Sequence, residues 1–225
     1  PMWADASPYR VDGRSLEAMR AFAKDLRGAG AQVDEAARPE IDFAASDDLY
    51  VALLFSSIMV GVPEEVLALT VQVAADMKAE PRSYPARIAR AVRMNRTDYV
   101  MLLQKQQQLC RAWQKFFEKY DVLLCPAMPT VAFPHDHSEG GPGHIAQYKR
   151  TISVDGRPVP YLNQMQWPGF ATIANLPSTA LPTGRFIDGM PFGIQAIGPY
   201  LEDRTPLRFA QRVQDALGGF KPPPR

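Results

Sequence analysis

The sequence predicts an α/β protein, mainly helical over residues 1–120 and mixing short strands with helices over 121–225. Three observations carry this. Apolar residues in the first 120 positions recur at helical spacing. The second half is punctuated by proline and glycine, and the chain holds 21 prolines in 225 residues, nearly twice the usual share of about 5%. Residues 15–35 read as helix, glycine, strand, which is half of an αβ unit.

The elements follow in order. Ser15 is the predicted cap of a first helix, whose apolar stripe is Leu16, Met19, Phe22, Ala23 and Leu26, stopped by Gly28 or Gly30. Ala31 to Glu35 reads as a short strand. Asp42 is placed to cap a second helix running through Val60. Pro63, Glu64 and Glu65 open a third, where a fixed φ and two negative charges suit a helix N-terminus. Arg82, Arg87, Arg90, Arg93 and Arg96 share a helical spacing that predicts a solvated or salt-bridged face. Thr97 is the predicted cap of a long helix carrying Val100, Leu103, Leu109, Cys110, Trp113, Phe116 and Phe117.

Residues 121–126 read as a buried strand ending at Pro126. Residues 134–144 form a polar loop. Asp155-Gly156 between 151–154 and 157–159 predicts a hairpin, because Asp-Gly supplies the positive φ of a type I′ turn. Residues 167–174 read as a short helix, and 178–182 and 192–198 as two strands. Pro206 opens a last helix with Leu207, Phe209, Ala210, Val213, Ala216 and Leu217 on its apolar face. Gly218-Gly219 ends that helix, and 219–225 is expected to be a disordered tail.

Composition excludes several classes. Lys+Arg is 25 and Asp+Glu 24, a net charge of +1, so no strong field steers nucleic acid or an anionic membrane. No apolar run approaches the ~18 residues of a membrane-spanning helix. The first residues lack the basic, apolar and cleavage regions of a signal peptide. The expected compartment is the cytoplasm, with neither nucleic acid nor membrane as partner.

Reactive groups are sparse. Cys110 and Cys125 sit among apolar neighbours and read as buried reduced thiols. Ser56-Ser57 lies inside an apolar helical pattern without the exposed turn a nucleophile needs. His135, His137 and His144 share one polar loop with Asp136 and Glu139. Their spacing matches no common zinc pattern, so the loop reads as solvated and no metal is expected. No glycine-rich phosphate loop is present, so no nucleotide cofactor is expected either. The special positions are backbone ones: Pro177, Pro182, Gly184, Gly189, Pro191, Gly193 and Gly198. Gly193 inside a strand predicts close approach of another backbone or a ligand. Gln195 points to the same side of that strand, and a buried amide must organise a neighbouring loop or meet a ligand.

Three stretches carry a resemblance. They are Tyr120-Asp121-Val122-Leu123-Leu124-Cys125-Pro126 through Pro129, Leu176-Pro177-Ser178-Thr179-Ala180-Leu181-Pro182-Thr183-Gly184, and Asp188-Gly189-Met190-Pro191-Phe192-Gly193-Ile194-Gln195 through Pro199. Glu202, Asp203, Leu207, Phe209 and Ala210 extend them. The pattern resembles the C-terminal half of the amidase signature family, and the likeness covers most of the chain. Asn175 stands where the family more often has Gly, and Asn is the best substitute at positive φ.

The resemblance implies a mixed β-sheet with helices on both faces, and a chain that is the C-terminal portion of an amidase domain. It implies amide hydrolysis to a carboxylic acid and ammonia or an amine, by a serine, a second serine and a lysine in the half preceding these residues. No catalytic residue is therefore carried over to this chain, which alone is expected to be inactive. By position, Met128, Trp167 and Phe170 are the expected substrate-binding walls, with Asn175, Gly193 and Gln195 as structural residues beside them. The implied partners are a small-molecule amide, the N-terminal half of the same enzyme, and a second copy in a homodimer. The alternative is a non-catalytic binding or assembly module of the same fold.

Overall fold

The computed structural model describes residues 1–3, 9–137 and 143–218, with no side-chain detail at 143 and 144. The predicted tail at 219–225 and Glu139 of the polar loop lie outside the described residues, as does the side chain of His144.

Among the described residues up to 117 there are five helices: α1 (Gly13–Gly28), α2 (Phe43–Ile58), α3 (Glu64–Asp76), α4 (Tyr84–Ala91) and α5 (Arg96–Phe117). The predicted stripe of α1 is buried throughout. Its cap is Asp12, not Ser15: the Asp12 carboxylate accepts from Arg14 N–H, which starts the helix early and turns Ser15 inward. The cap of α5 is likewise Asn95 rather than Thr97, because the Asn95 amide oxygen accepts from Asp98 N–H. Asp42 caps α2 as expected, through Ala45 N–H. The arginine row is salt-bridged at Arg82 with Asp48 and at Arg93 with Glu64. Arg87 departs from it. Its side chain is 7% exposed and pairs at 2.7 Å with Asp47, 8% exposed.

The strands are β1 (Leu123–Pro126), β2 (Thr151–Val154), β3 (Arg157–Pro160), β4 (Ser178–Ile187) and β5 (Met190–Ile197). Two further helices are α6 (Gln166–Ile173) and α7 (Arg204–Leu217). β1, β5 and β4 form an antiparallel sheet in that order, and β2–β3 is the predicted hairpin. Asp155 and Gly156 have φ of 51° and 70°, as a type I′ turn requires. β4 and β5 run longer than expected, to a second turn of this kind at Asp188-Gly189, with φ of 50° and 75°. A bulge between Pro182 and Arg185 absorbs Thr183 and Gly184, the latter at φ 72°.

The sheet gains a parallel member at its β1 edge. Leu124 N–H donates to Pro1 O at 2.9 Å and Trp3 N–H to Leu124 O at 2.7 Å. Residues 31–35 lie beyond this short segment but do not form the predicted strand. Met2 N–H reaches Asp34 O, after which the Asp34 carboxylate accepts from Ala36 and Ala37 N–H and bends the chain away.

One face of the sheet is covered by α1 and α7, which bury Met2, Met19, Phe22, Leu124, Leu181, Ile194 and Val213 together. The other face buries Leu123, Cys125 and Ile197 against Trp113 and Phe117 of α5 and Trp167 and Phe170 of α6. This is the mixed sheet with helices on both faces. A third cluster fills the helical part, where α6 crosses α2 so closely that a Cβ at Gly169 would lie 2.7 Å from the Tyr50 ring.

Candidate functional site

Of the other predicted site residues, Gln195 bonds one directly, Trp167, through its backbone carbonyl. β5 carries Gln195 opposite Cys125 of β1 and Ala180 of β4, all on the face toward α6. Its side chain is 5% exposed. The Nε2 amide donates to Pro126 O at 3.0 Å and to Trp167 O at 2.9 Å, and Oε1 accepts from Ser178 Oγ at 3.0 Å. One amide thus joins the end of β1, the start of α6 and the start of β4. Burying it without these partners would cost several kcal/mol.

Met128 follows β1 on a loop held to α1 by Asp12 N–H donating to Pro129 O at 2.8 Å. It borders an open, mainly apolar hollow of about 410 Å³ with Ala127, Ala180, Pro182, Phe192 and Gly193. Gly193 approaches the neighbouring strand: an added Cβ would sit 3.3 Å from Leu181 O. Trp167 and Phe170 are placed differently, at 0% and 2% exposure. They pack with Trp3, ring centroids 5.2 Å away in both cases, and with Tyr9. Gln195 couples Met128 to Trp167 through the backbone, but the hollow and the aromatic cluster are separate features. Asn175 ends α6 at φ 54°. Asn175 N–H donates to Thr172 O and Leu176 N–H to Ala171 O, the paired bonds of a Schellman cap.

Neither thiol is poised for nucleophilic attack. Complete burial pushes the Cys125 thiol up to about 12, and burial raises Cys110, whose Sγ donates to Ala174 O. Ser56 donates to Leu53 O within its helix. His135 and His137 are exposed, with rings 5.8 Å apart, and Asp136 pairs with Arg150. No group of three metal-ligating side chains occurs among the described residues. No described helix is long and apolar enough to cross a membrane.

Two features escape the sequence reading. Ser178 reads there only as a strand residue, although a serine two ladder positions from a buried glutamine on the same side is a usable signal. Asp47–Arg87 is the other, hidden because its partners lie 40 residues apart.

Residues 2–207 match the amidase family model, and the chain belongs to that family. It is 31% identical over 121 residues to the A subunit of the glutamyl-tRNA(Gln) amidotransferase of Archaeoglobus fulgidus, covering 53% of this chain and 22% of that protein. The Coxiella burnetii counterpart of that protein is 33% identical over 131 residues, covering 56% and 23%. Among solved structures, an amidase superposes with a TM-score of 0.67 at 18% identity, covering 96% of this chain and 45% of the other. A bacterial aryl acylamidase of the amidase signature enzymes gives 0.64 at 15%, covering 96% and 43%. These structures share the fold, and the chain spans less than half of their length.

Proposed function

We propose that this chain is the substrate-side, C-terminal portion of an amide hydrolase. The reaction is amide plus water to a carboxylic acid and ammonia or an amine. The attacking serine, its partner serine and the lysine belong to polypeptide outside these residues. The observation that carries the reading is the family match joined to the Gln195 lock, which braces the Met128 loop, α6 and β4 around one uncovered stretch of sheet. In support, the Cys125 thiol is buried, the half-buried Cys110 thiol donates to Ala174 O, and the hydroxyls of Ser56 and Ser178 are committed as donors to other groups. Met128 would contact the acyl or aryl part of the substrate. Trp167 and Phe170 would back that wall from the core rather than line it. An apolar surface with few polar groups suits a hydrophobic amide.

The alternative, a binding or assembly module without chemistry, draws on the complete burial of Trp167. A native preparation treated with a serine-directed phosphonate separates the two. Labelling of an associated polypeptide, with amide hydrolysis lost in step, is the expected result. A native preparation with no labelled serine and no hydrolysis of aryl amides overturns the hydrolase reading. Native mass against denaturing mass identifies the associated polypeptide or a second copy of this chain.

A further inference from the structure

The hydrogen-bond polarity around Gln195 determines what Ser178 offers to its surroundings. The carbonyls of Pro126 and Trp167 can only accept, so the group facing them must be the amide nitrogen, which spends both hydrogens there. Oε1 is then the atom facing Ser178, and it too can only accept. The single hydroxyl proton of Ser178 must therefore point inward, across the 3.0 Å bond. Its oxygen keeps its remaining lone-pair capacity, and no described residue donates to it. Ser178 is exposed, and it stands on the same side of β4 as Ala180 and Pro182, the side shared by Gly193 of β5. A ligand carbonyl arriving here finds no proton. A ligand N–H finds a fixed acceptor.

We propose that Ser178 Oγ is a hydrogen-bond acceptor for the N–H of a carboxamide ligand bound over the uncovered side of β4, with Gln195 as the positioning residue that holds the hydroxyl in this sense. The chemical class of the ligand rests on the amide-hydrolase reading. The direction of the hydroxyl does not.

The test uses two small aryl carbonyl probes, benzamide, which carries N–H donors, and methyl benzoate, which carries none. Binding to the full chain, with any polypeptide that co-purifies, is followed by amide-resonance shifts at Ser178, Ala180 and Gly193. Benzamide is expected to bind about two- to tenfold more tightly, the value of one hydrogen bond. Ser178→Ala should remove the preference and Ser178→Thr, which keeps the hydroxyl, should retain it. Thermal melts of both variants verify folding. Equal affinity for the two probes, a preference that survives in folded Ser178→Ala, or no benzamide binding up to its solubility limit overturns the proposal. Hydrolysis by the native preparation is a separate readout, so this proposal and the hydrolase reading can fail independently.

Discussion

The Nε2 amide of Gln195 lies 2.9 Å from the carbonyl of Trp167, a residue 28 positions earlier, and 3.0 Å from that of Pro126. The Pro126 carbonyl closes β1, and the Trp167 carbonyl lies in the first turn of α6, where it can also accept from the N–H four residues on. Gln195→Met keeps the length of the side chain and removes both donors. It is expected to cost about 1–3 kcal/mol, chiefly from the Pro126 carbonyl left without a donor. Gln195→Glu sets carboxylate oxygens against two carbonyls and is expected to cost more. Urea unfolding should rank the midpoints wild type, Gln195→Met, Gln195→Glu, with the slope unchanged. Equal midpoints for wild type and Gln195→Met would show that the amide contributes nothing there.

Asn175 supplies a second test. Its φ of 54° is the left-handed conformation in which a Cβ meets the following carbonyl oxygen. Glycine escapes that clash and alanine does not. Asn175→Ala is therefore expected to be less stable than Asn175→Gly by about 1 kcal/mol. A thermal melt that reverses this order removes the strain argument and the Schellman cap with it.

The parts of the fold legible in the sequence are those set by local chemistry. Leu16, Met19, Phe22, Ala23 and Leu26 predict the buried stripe of α1 because helical spacing puts them on one side. Asp155-Gly156 predicts its turn because few dipeptides tolerate two positive φ values. The same dipeptide at 188–189 makes the same turn, but Pro182 and Gly184 interrupt the apolar alternation and shorten the predicted strands. Residues 31–35 have the composition of a strand and lack a ladder, since among the described residues one backbone bond, from Met2, links them to the sheet and Asp34 turns the chain aside. The caps shift from Ser15 to Asp12 and from Thr97 to Asn95 because several polar residues compete within one turn, and the cap is the one whose side chain accepts a first-turn N–H. At the candidate site the backbone signals at Gly193 and Asn175 are readable. The burial of Trp167 and Phe170 is not, since it depends on Trp3 and Tyr9, more than 150 residues away.

Asp34 and Tyr120 tie two loops together, with the phenol donating to the carboxylate at 3.0 Å. The N–H of Ala36, then the Tyr120 hydroxyl and the N–H of Ala37, hold the Asp34 carboxyl below its ordinary value of 3.8. A depressed folded-state value means that the contribution is present above 3.8 and lost as pH falls through the lower folded value. The bond to Asp34 raises the Tyr120 phenol above 10.0. That contribution is present below 10.0 and lost as pH rises through the folded value. Asp34→Asn should flatten the stability profile at the acid end, and Tyr120→Phe at the alkaline end. Melting temperatures across both ranges check this, and unchanged slopes in either variant contradict it.

Arg87 and Asp47 give the sharpest prediction about stability. Arg87 bonds the Asp47 carboxylate at 2.7 Å and donates to the Asp47 carbonyl, pinning α4 against α2. Its guanidinium also lies 5.1 Å from the centre of the Tyr84 ring. Burial drives the Asp47 carboxyl above its ordinary value, and Arg87 opposes that rise. Arg87→Met leaves a carboxylate buried without its cation, which is expected to cost about 3–5 kcal/mol at neutral pH. Joining it with Asp47→Leu removes the unpaired charge, so the double variant should regain most of that loss. The sign of the pH effect follows. With Arg87 gone, the folded-state value of Asp47 rises further above 3.8, and the folded state binds a proton that the unfolded state releases. The single variant should therefore gain stability as pH falls from 7 toward 4, while the double variant should not. Chemical unfolding at several pH values measures both trends. A single variant as stable as the double at neutral pH would mean that Asp47 reaches solvent, and that the buried pair does not hold α4 in place.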